Sequence, residues 1–312
     1  MRALREPLRV PAAPEGPAAR EVRVRRGAGR PARADPRDLR RARTVGVRPR
    51  PSAYAASCVS RAVTRAGGSI RGGGGMDELG TILGVWAHPD DETYLSAGLM
   101  ARAVRAGSRV VCATATRGEG GSTDEERWPS AEMGRVRTAE LERSLEILGV
   151  GEHHWLDLPD IDMATPLPEA GYEAVRSLVD EVRPDTILTF GPDGMTGHEA
   201  HKSVSAWATR ALPEVGRPGA RVLYATTTPE WAAAFLPVWA PFGVFLPGTP
   251  PITPREELEV WFELPEDLLA LKVRAILAHE SQVEAIFRAV GEEVWWRQMS
   301  LEAFRLGARR DG

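Results

Sequence analysis

Ile82-Leu83-Gly84-Val85-Trp86-Ala87-His88-Pro89-Asp90-Asp91-Glu92 is the stretch on which the reading of this chain turns. Ile82 to Ala87 is a short, continuous apolar run, the pattern of a strand buried on both faces. An imidazole and three carboxylates follow at once, in His88, Asp90, Asp91 and Glu92. A lone buried ion is very costly, so this much charge beside a core strand makes little sense as a stabilising device. A metal would make it sensible, and strand ends are where open α/β sheets bind ligands.

Outward from that stretch, apolar runs alternate with helix-length amphipathic segments. Helices are expected near Leu95–Ala106, Ala131–Leu148, Pro168–Val182 and Glu199–Leu212. Strands are expected at Arg109–Thr116, His154–Leu158, Thr186–Phe190 and Arg221–Thr227. Gly149 supplies a helix C-cap signal. This alternation predicts an α/β, Rossmann-like three-layer fold with a mostly parallel sheet. Residues 228–255, rich in Pro, Trp and Phe, read as a long loop, either a lid over a site or a flap sealing the core. A strand near Leu258–Leu264, a helix near Glu266–His279 and a final helix over Val294–Leu306 complete the expected C-terminal lid and helices.

The formal charge of −3 over 312 residues conceals two different objects. Residues 1–75 carry 18 Arg, no Lys and 5 acids, a net of +13; residues 76–312 carry 22 basic and 38 acidic side chains, a net of −16. The first segment lacks apolar periodicity and cannot offset its ordering entropy, so it is expected to be a disordered Arg/Pro/Gly-rich leader. A nucleic-acid-binding tail and a transit peptide are competing readings, the second weakened by prolines that break any amphipathic helix. Glycine codons are G-rich, so Gly72 to Gly75 just before Met76 also fit a bacterial ribosome-binding site read as protein, making Met76 the expected start. The catalytic domain is then 76–312. Its acidic balance argues against nucleic acid as a partner, and no apolar stretch is long enough for a membrane span. Cys58 and Cys112 form no disulfide or metal pattern, which reads as a reducing, cytoplasmic compartment.

Of the six histidines, His153 and His154 sit at the wrong end of a strand and read as exposed edge residues. His198 and His201 follow the fourth strand, at the same end of the sheet as His88, and residues i and i+3 on a first helical turn point the same way. His88, Asp91 and His201 are therefore expected to converge on one cation with an open coordination position. Two histidines and a carboxylate suit catalytic zinc and also a non-haem iron oxygenase. Asp90 beside Asp91 and His198 beside His201 offer a base and an electrophile, which serve hydrolysis and are superfluous to an oxygenase or to a non-catalytic sugar-binding protein.

Ala87-His88-Pro89-Asp90-Asp91-Glu92 together with Gly197-His198-Glu199-Ala200-His201 resembles the PIG-L/LmbE family of zinc-dependent N-deacetylases. Thr116-Arg117-Gly118-Glu119-Gly120-Gly121, Arg137-Thr138-Ala139-Glu140-Leu141 and Ala278-His279-Glu280-Ser281-Gln282 extend the resemblance. It implies one zinc on His88, Asp91 and His201, Asp90 as general base, His198 as oxyanion stabiliser, Arg137 as a sugar contact and Glu92 as support for the ligand loop. Arg117 is a further substrate-binding candidate, or a structural ion pair. The implied reaction removes an N-acetyl group from an amino sugar or its conjugate, the alternative being an amidase acting on a larger sugar/thiol conjugate. The implied partner is a small N-acetylated molecule, and relatives often assemble as homo-oligomers. Many relatives have Asp where this chain has Ala200, which leaves the charge state of His198 open, with Asp193 the nearest substitute. The glycines at 118, 120 and 121 read as phosphate cradle or simple turn, and His279 as a pocket or packing residue.

Overall fold

The computed structural model describes residues 69–70 and 79–311. The expected leader lies outside the described residues except for β1 (Ser69–Ile70). The remaining elements are β2 (Ile82–Trp86), α1 (Asp91–Arg105), β3 (Val110–Thr116), α2 (Ser130–Leu148), β4 (Glu152–Leu158), α3 (Ala170–Val182), β5 (Thr186–Phe190) and α4 (Glu199–Val215). They continue with β6 (Arg221–Thr226), α5 (Pro229–Trp239), β7 (Leu258–Glu263), α6 (Glu266–Ile276), α7 (Glu280–Val290), α8 (Glu292–Met299) and β8 (Leu301–Arg309).

One sheet runs in the order β1-β7-β8-β6-β5-β2-β3-β4. The five strands from β6 to β4 are parallel, and β8, β7 and β1 extend the sheet antiparallel. Every residue of β2, β3 and β5 is buried, as expected of strands covered on both faces. α1, α2 and α6 pack together, while α3 packs on α4, giving the three layers. The chain runs outward from β2 through β3 to β4, then returns to place β5 on the other flank of β2. That reversal opens a crevice beyond the tips of β2 and β5, the usual ligand site of such sheets.

Two expectations about the C-terminal third are corrected. The 228–255 segment is not one long loop: Thr228 accepts the Trp231 N–H at 3.2 Å and caps α5. The Val294–Leu306 segment is not one helix: α8 stops at Met299 and β8 begins at Leu301. Leu301-Glu302-Ala303-Phe304 has good helix formers, but pairing with both β6 and β7 outweighs a preference of a few tenths of a kcal/mol per residue. α7 is an additional helix beyond the expected set. A second apolar cluster forms among α5, α6, α7 and α8 around Trp295, which is fully buried.

Candidate active site

The site is built from the tips of four parallel strands. β2 ends at Trp86, and the chain turns through Pro89 and Asp90 into α1. Asp90 takes φ 111°, a left-handed conformation that costs a non-glycine residue of order 1–3 kcal/mol. Neighbouring groups hold it there: the Asp90 N–H donates to Glu92 Oε2 at 3.2 Å, and its carbonyl accepts the N–H groups of Thr93 and Tyr94 at 3.0 and 2.9 Å. Glu92 is fully buried and lies behind the loop, where Oε1 accepts from Thr93 Oγ1 at 2.5 Å and sits 3.6 Å from His279 Nε2. His279 is thus a packing residue behind the site rather than part of its wall.

Asp91 turns back to accept the His88 N–H on Oδ2 at 2.8 Å. From the far side of the crevice, α4 brings in His201, stacked on Phe190 at a centroid distance of 4.1 Å. His201 Nδ1 donates to Gly194 O at 2.9 Å, which leaves Nε2 with its lone pair facing His88 Nδ1 at 3.1 Å. One oxygen of Asp91 lies 3.6 Å from His88 Nδ1 and the other 3.6 Å from His201 Nε2. One ligand atom from each of these three buried residues lies within 4.8 Å of the others. Four-coordinate zinc with bonds of about 2.0–2.2 Å needs ligand atoms roughly 3.3–3.6 Å apart, by tetrahedral geometry. The imidazole pair lies close to that edge length and each ring faces one Asp91 oxygen, so the three residues have the donor types and proximity that would hold such an ion.

The surrounding charges are polarised. Burial lowers the His88 pKa, but Asp160 and Asp91 outweigh it and raise the ring to about 9. Asp91 is held well below the ordinary carboxylate range: its burial opposes ionisation, and the two imidazoles overcome it. Burial pushes the Asp90 carboxyl up to about 7 despite the Arg137 guanidinium. A carboxyl poised there exchanges a proton readily near neutral pH.

His198 is the N-cap of α4, and its Nδ1 accepts the Ala200 N–H at 3.3 Å. The proton therefore sits on Nε2. Burial, with the His88 charge adding, lowers its pKa to about 4, so the ring is neutral. At position 200 it is the backbone N–H, and not a side-chain carboxylate, that meets His198 Nδ1. Asp193 does not substitute; it accepts the Met195 N–H at 2.7 Å and faces Arg305 at 3.7 Å.

Arg137 is buried and reaches Pro89 O at 2.6 Å, Gly118 O at 3.2 Å and Asp90 Oδ2 at 3.3 Å. A Cβ at Gly118 would lie 2.3 Å from Arg137 Nη1, and one at Gly121 2.5 Å from the same atom. At Gly118 and Gly121 a guanidinium passes where a side chain would stand, and at Gly120 the nearest neighbours are Asp160 and Ile161 O. Arg117, by contrast, does not line the cavity: it pairs with Asp157 at 2.8 Å and lies over the Trp155 ring at 4.3 Å. Arg117 thus sits in a surface ion pair outside the cavity lining. His153 and His154 are half-buried rather than exposed, His153 facing Thr114 Oγ1 at 3.0 Å, away from the site.

One site residue went unnoticed in the sequence. Asp160, beyond the tip of β4, accepts the Gly120 N–H at 3.0 Å and places Oδ1 3.4 Å from His88 Nε2, close enough for charge attraction though not aligned as a hydrogen bond. Its only sequence signal was Pro159-Asp160 at the end of a parallel strand. These groups line one cavity of about 680 Å³, whose other wall comprises Trp231, Trp239, Phe242, Val244 and Phe245.

Residues 83–212, which contain the whole polar constellation, match the family model described as PIG-L: GlcNAc-PI de-N-acetylase. A deacetylase of 1D-myo-inositol 2-acetamido-2-deoxy-α-D-glucopyranoside from Saccharomonospora viridis is 31% identical over 236 residues, covering 65% of this chain and 85% of the relative. The chain belongs to the PIG-L family. A deacetylase of the same name from Kineococcus radiotolerans is 34% identical over 175 residues, and here the match covers 47% of this chain and 48% of the relative. The chain thus spans about half the length of the first curated relatives it matches. Among solved structures, a deacetylase from the teicoplanin biosynthesis pathway shares the fold with a TM-score of 0.54 at 17% identity, covering 74% of this chain and 99% of that one.

Proposed function

We propose that this chain is a zinc-dependent N-deacetylase that hydrolyses the acetamide of an amino sugar or its conjugate, giving acetate and a free amine. The observation that carries the reading is the meeting of His88 Nδ1, Asp91 and His201 Nε2, with the Asp90 carboxyl held beside them by Arg137. The curated relatives, named as deacetylases of an acetamido-glucosyl inositol, supply the substrate class. His88, Asp91 and His201 hold the zinc. Bound there, the ion supplies Lewis acidity and brings the pKa of water toward about 7.

The protein's own groups do the rest. Asp90 takes the proton from the attacking water and later passes it to the leaving nitrogen, and Arg137 keeps that carboxylate aimed. His198 donates Nε2–H to the carbonyl oxygen as negative charge gathers on it, and a donor of this kind is commonly worth about 3–4 kcal/mol. His198 acts as a neutral donor, because its Nδ1 is held by the Ala200 N–H. Glu92 fixes the strained Asp90 backbone. Asp160, with the Gly120 N–H, closes the side of His88 away from the ion.

The chemistry is assigned to residues 76–312 in a cytoplasmic protein acting on a small molecule; among the described residues no helix is long and apolar enough to cross a membrane. The test is metal analysis of purified protein together with amine release from N-acetylglucosaminyl conjugates, before and after chelation and zinc addition. Asp90→Asn should retain one zinc and lose about 10²–10⁴-fold in kcat. Full turnover in that variant, or iron in place of zinc as the activating ion, overturns the reading.

A further inference from the structure

Two imidazoles enter the site from α4 and its N-cap, and they are anchored very differently. His201 lies within the helix, its Nδ1 held by Gly194 O at 2.9 Å and its ring stacked on Phe190 at 4.1 Å. His198 stands just before the helix. Its ring stacks on His201 at 5.0 Å, and its hydrogen bond among the described residues is the long one from the Ala200 N–H, at 3.3 Å. Where His198 Nε2 points therefore depends on the backbone that precedes it.

That backbone is irregular. Between β5 and α4, Gly194, Met195 and Gly197 take φ of 71°, 61° and 90°, and neither helix nor strand covers these residues. Glycine has the most backbone freedom to lose, so Gly197 is a poor support for the histidine beside it. Two segments at the cavity rim tie the turn down. The Glu199 N–H donates to Met163 O at 2.9 Å, and the Leu246 N–H donates to Thr196 O at 2.9 Å.

Leu246 also lays its side chain on Gly197. A Cβ at Gly197 would lie 2.8 Å from Leu246 Cβ, 3.1 Å from Cδ1 and 3.2 Å from Cγ, and these are its three nearest neighbours. Leu246 is 39% exposed and belongs to neither apolar cluster, so core packing does not account for its place. Its own segment is held firmly. Phe245 faces into the aromatic cluster, 6.3 Å from both Trp231 and Trp239, and Thr249 donates its N–H and Oγ1–H to Leu246 O at 3.0 and 2.7 Å.

We infer that Leu246 is a positioning residue for His198: its N–H and side chain clamp the Thr196-Gly197 turn and so aim His198 Nε2 at the carbonyl oxygen of the bound amide. The inference rests on the hydrolase reading above. The turn needs a glycine at 197, both for its left-handed φ and because a Cβ would strike Leu246. The same glycine would let the histidine swing. A donor to a developing oxyanion works only when held in place beforehand, and a misplacement of about 1 Å costs about 10²-fold. Leu246 supplies from outside the stiffness that the glycine lacks.

The test is a double-mutant cycle on the zinc-loaded enzyme, read as kcat and KM for amine release from N-acetylglucosaminyl conjugates. Leu246→Ala should lower kcat about tenfold and leave KM within about twofold. Leu246→Met, which restores bulk over Gly197, should recover most of that loss. His198→Ala alone should cost about 10²–10³-fold in kcat. Adding Leu246→Ala to it should cost less than about twofold more, because the clamp then has nothing to aim. An undiminished Leu246→Ala loss in the His198→Ala background, or no kcat loss in Leu246→Ala alone, overturns the assignment. A second readout needs no turnover. In ring-15N spectra of the zinc-loaded protein, His198 should show one tautomer, protonated on Nε2. Leu246→Ala should move that signal toward a mixture of both tautomers while the other histidine signals hold. A shifted His198 signal without any amine release defeats the hydrolase reading alone, and amine release with an unmoved His198 signal defeats the clamp alone.

Discussion

The two walls of the cavity solve opposite problems with opposite chemistry. At the tips of β2 and β5, charge is crowded together and then held in place. Asp90 is strained, Asp91 is bound by a backbone N–H, and His201 is fixed between Gly194 O and the Phe190 ring. Around Trp295 the wall is a second core whose order comes from packing aromatic rings, with hardly any polar constraint. The polar wall should therefore fail chemically while staying folded, and the aromatic wall should fail by losing stability.

The sharpest test of that contrast pairs His201→Ala with Trp295→Ala. The first should lose the metal and at least about 10³-fold in turnover while still folding cooperatively, with a smaller loss of stability than the second. The second should keep its metal at low temperature but lose about 3–5 kcal/mol of stability, read by denaturant unfolding. If both variants lost the same property, the division between the walls would be artificial. Gly118→Val sits at the boundary. A Cβ 2.3 Å from Arg137 Nη1, at a φ of +69°, should displace the guanidinium and cost of order 1–3 kcal/mol. It should also lower kcat more than it raises KM, because Arg137 aims the base.

The pH profile probes the polar wall alone. Asp90 acts as a base only when ionised, and its pKa is raised to about 7 by burial. As pH falls through that value the carboxylate gains a proton, so kcat/KM should drop about tenfold per pH unit below it and level off above. His198, lowered to about 4, stays neutral across this range and should add no second inflection near 7. The smallest effect is expected from Arg117→Gln. A partly exposed pair is worth about 0–1 kcal/mol, and KM should not move. A large rise in KM would restore Arg117 as a substrate contact.

Much of this was legible in the residues. The apolar run at Ile82–Trp86 and the one at Thr186–Phe190 fall where β2 and β5 lie, and residues at i and i+3 on α4 do turn the same way, though only His201 reaches the triad. Less legible was what depended on neighbours far along the chain. Asp160 joins the site because β4 lies two strands from β2 and its following loop folds back over Gly120. The sequence after β3 reads equally as a phosphate cradle or a turn, and only the fold places Arg137 against Gly118 and Gly121. β8 reads as helix because its composition favours one, and only partners on both sides make it a strand.

By itself, then, the order of the residues determined the alternation of strand and helix and the chemical identity of the ligands. Both are local: periodicity and side-chain type do not depend on what the chain later meets. The tertiary structure decided which charges face each other. It raised His88 and Asp90 while lowering His198, and it turned Arg117 outward. Burial and electrostatic coupling are properties of a place in the fold, so the same aspartate is an ordinary acid in the unfolded chain and a base poised near neutrality once β2 and β5 lie side by side.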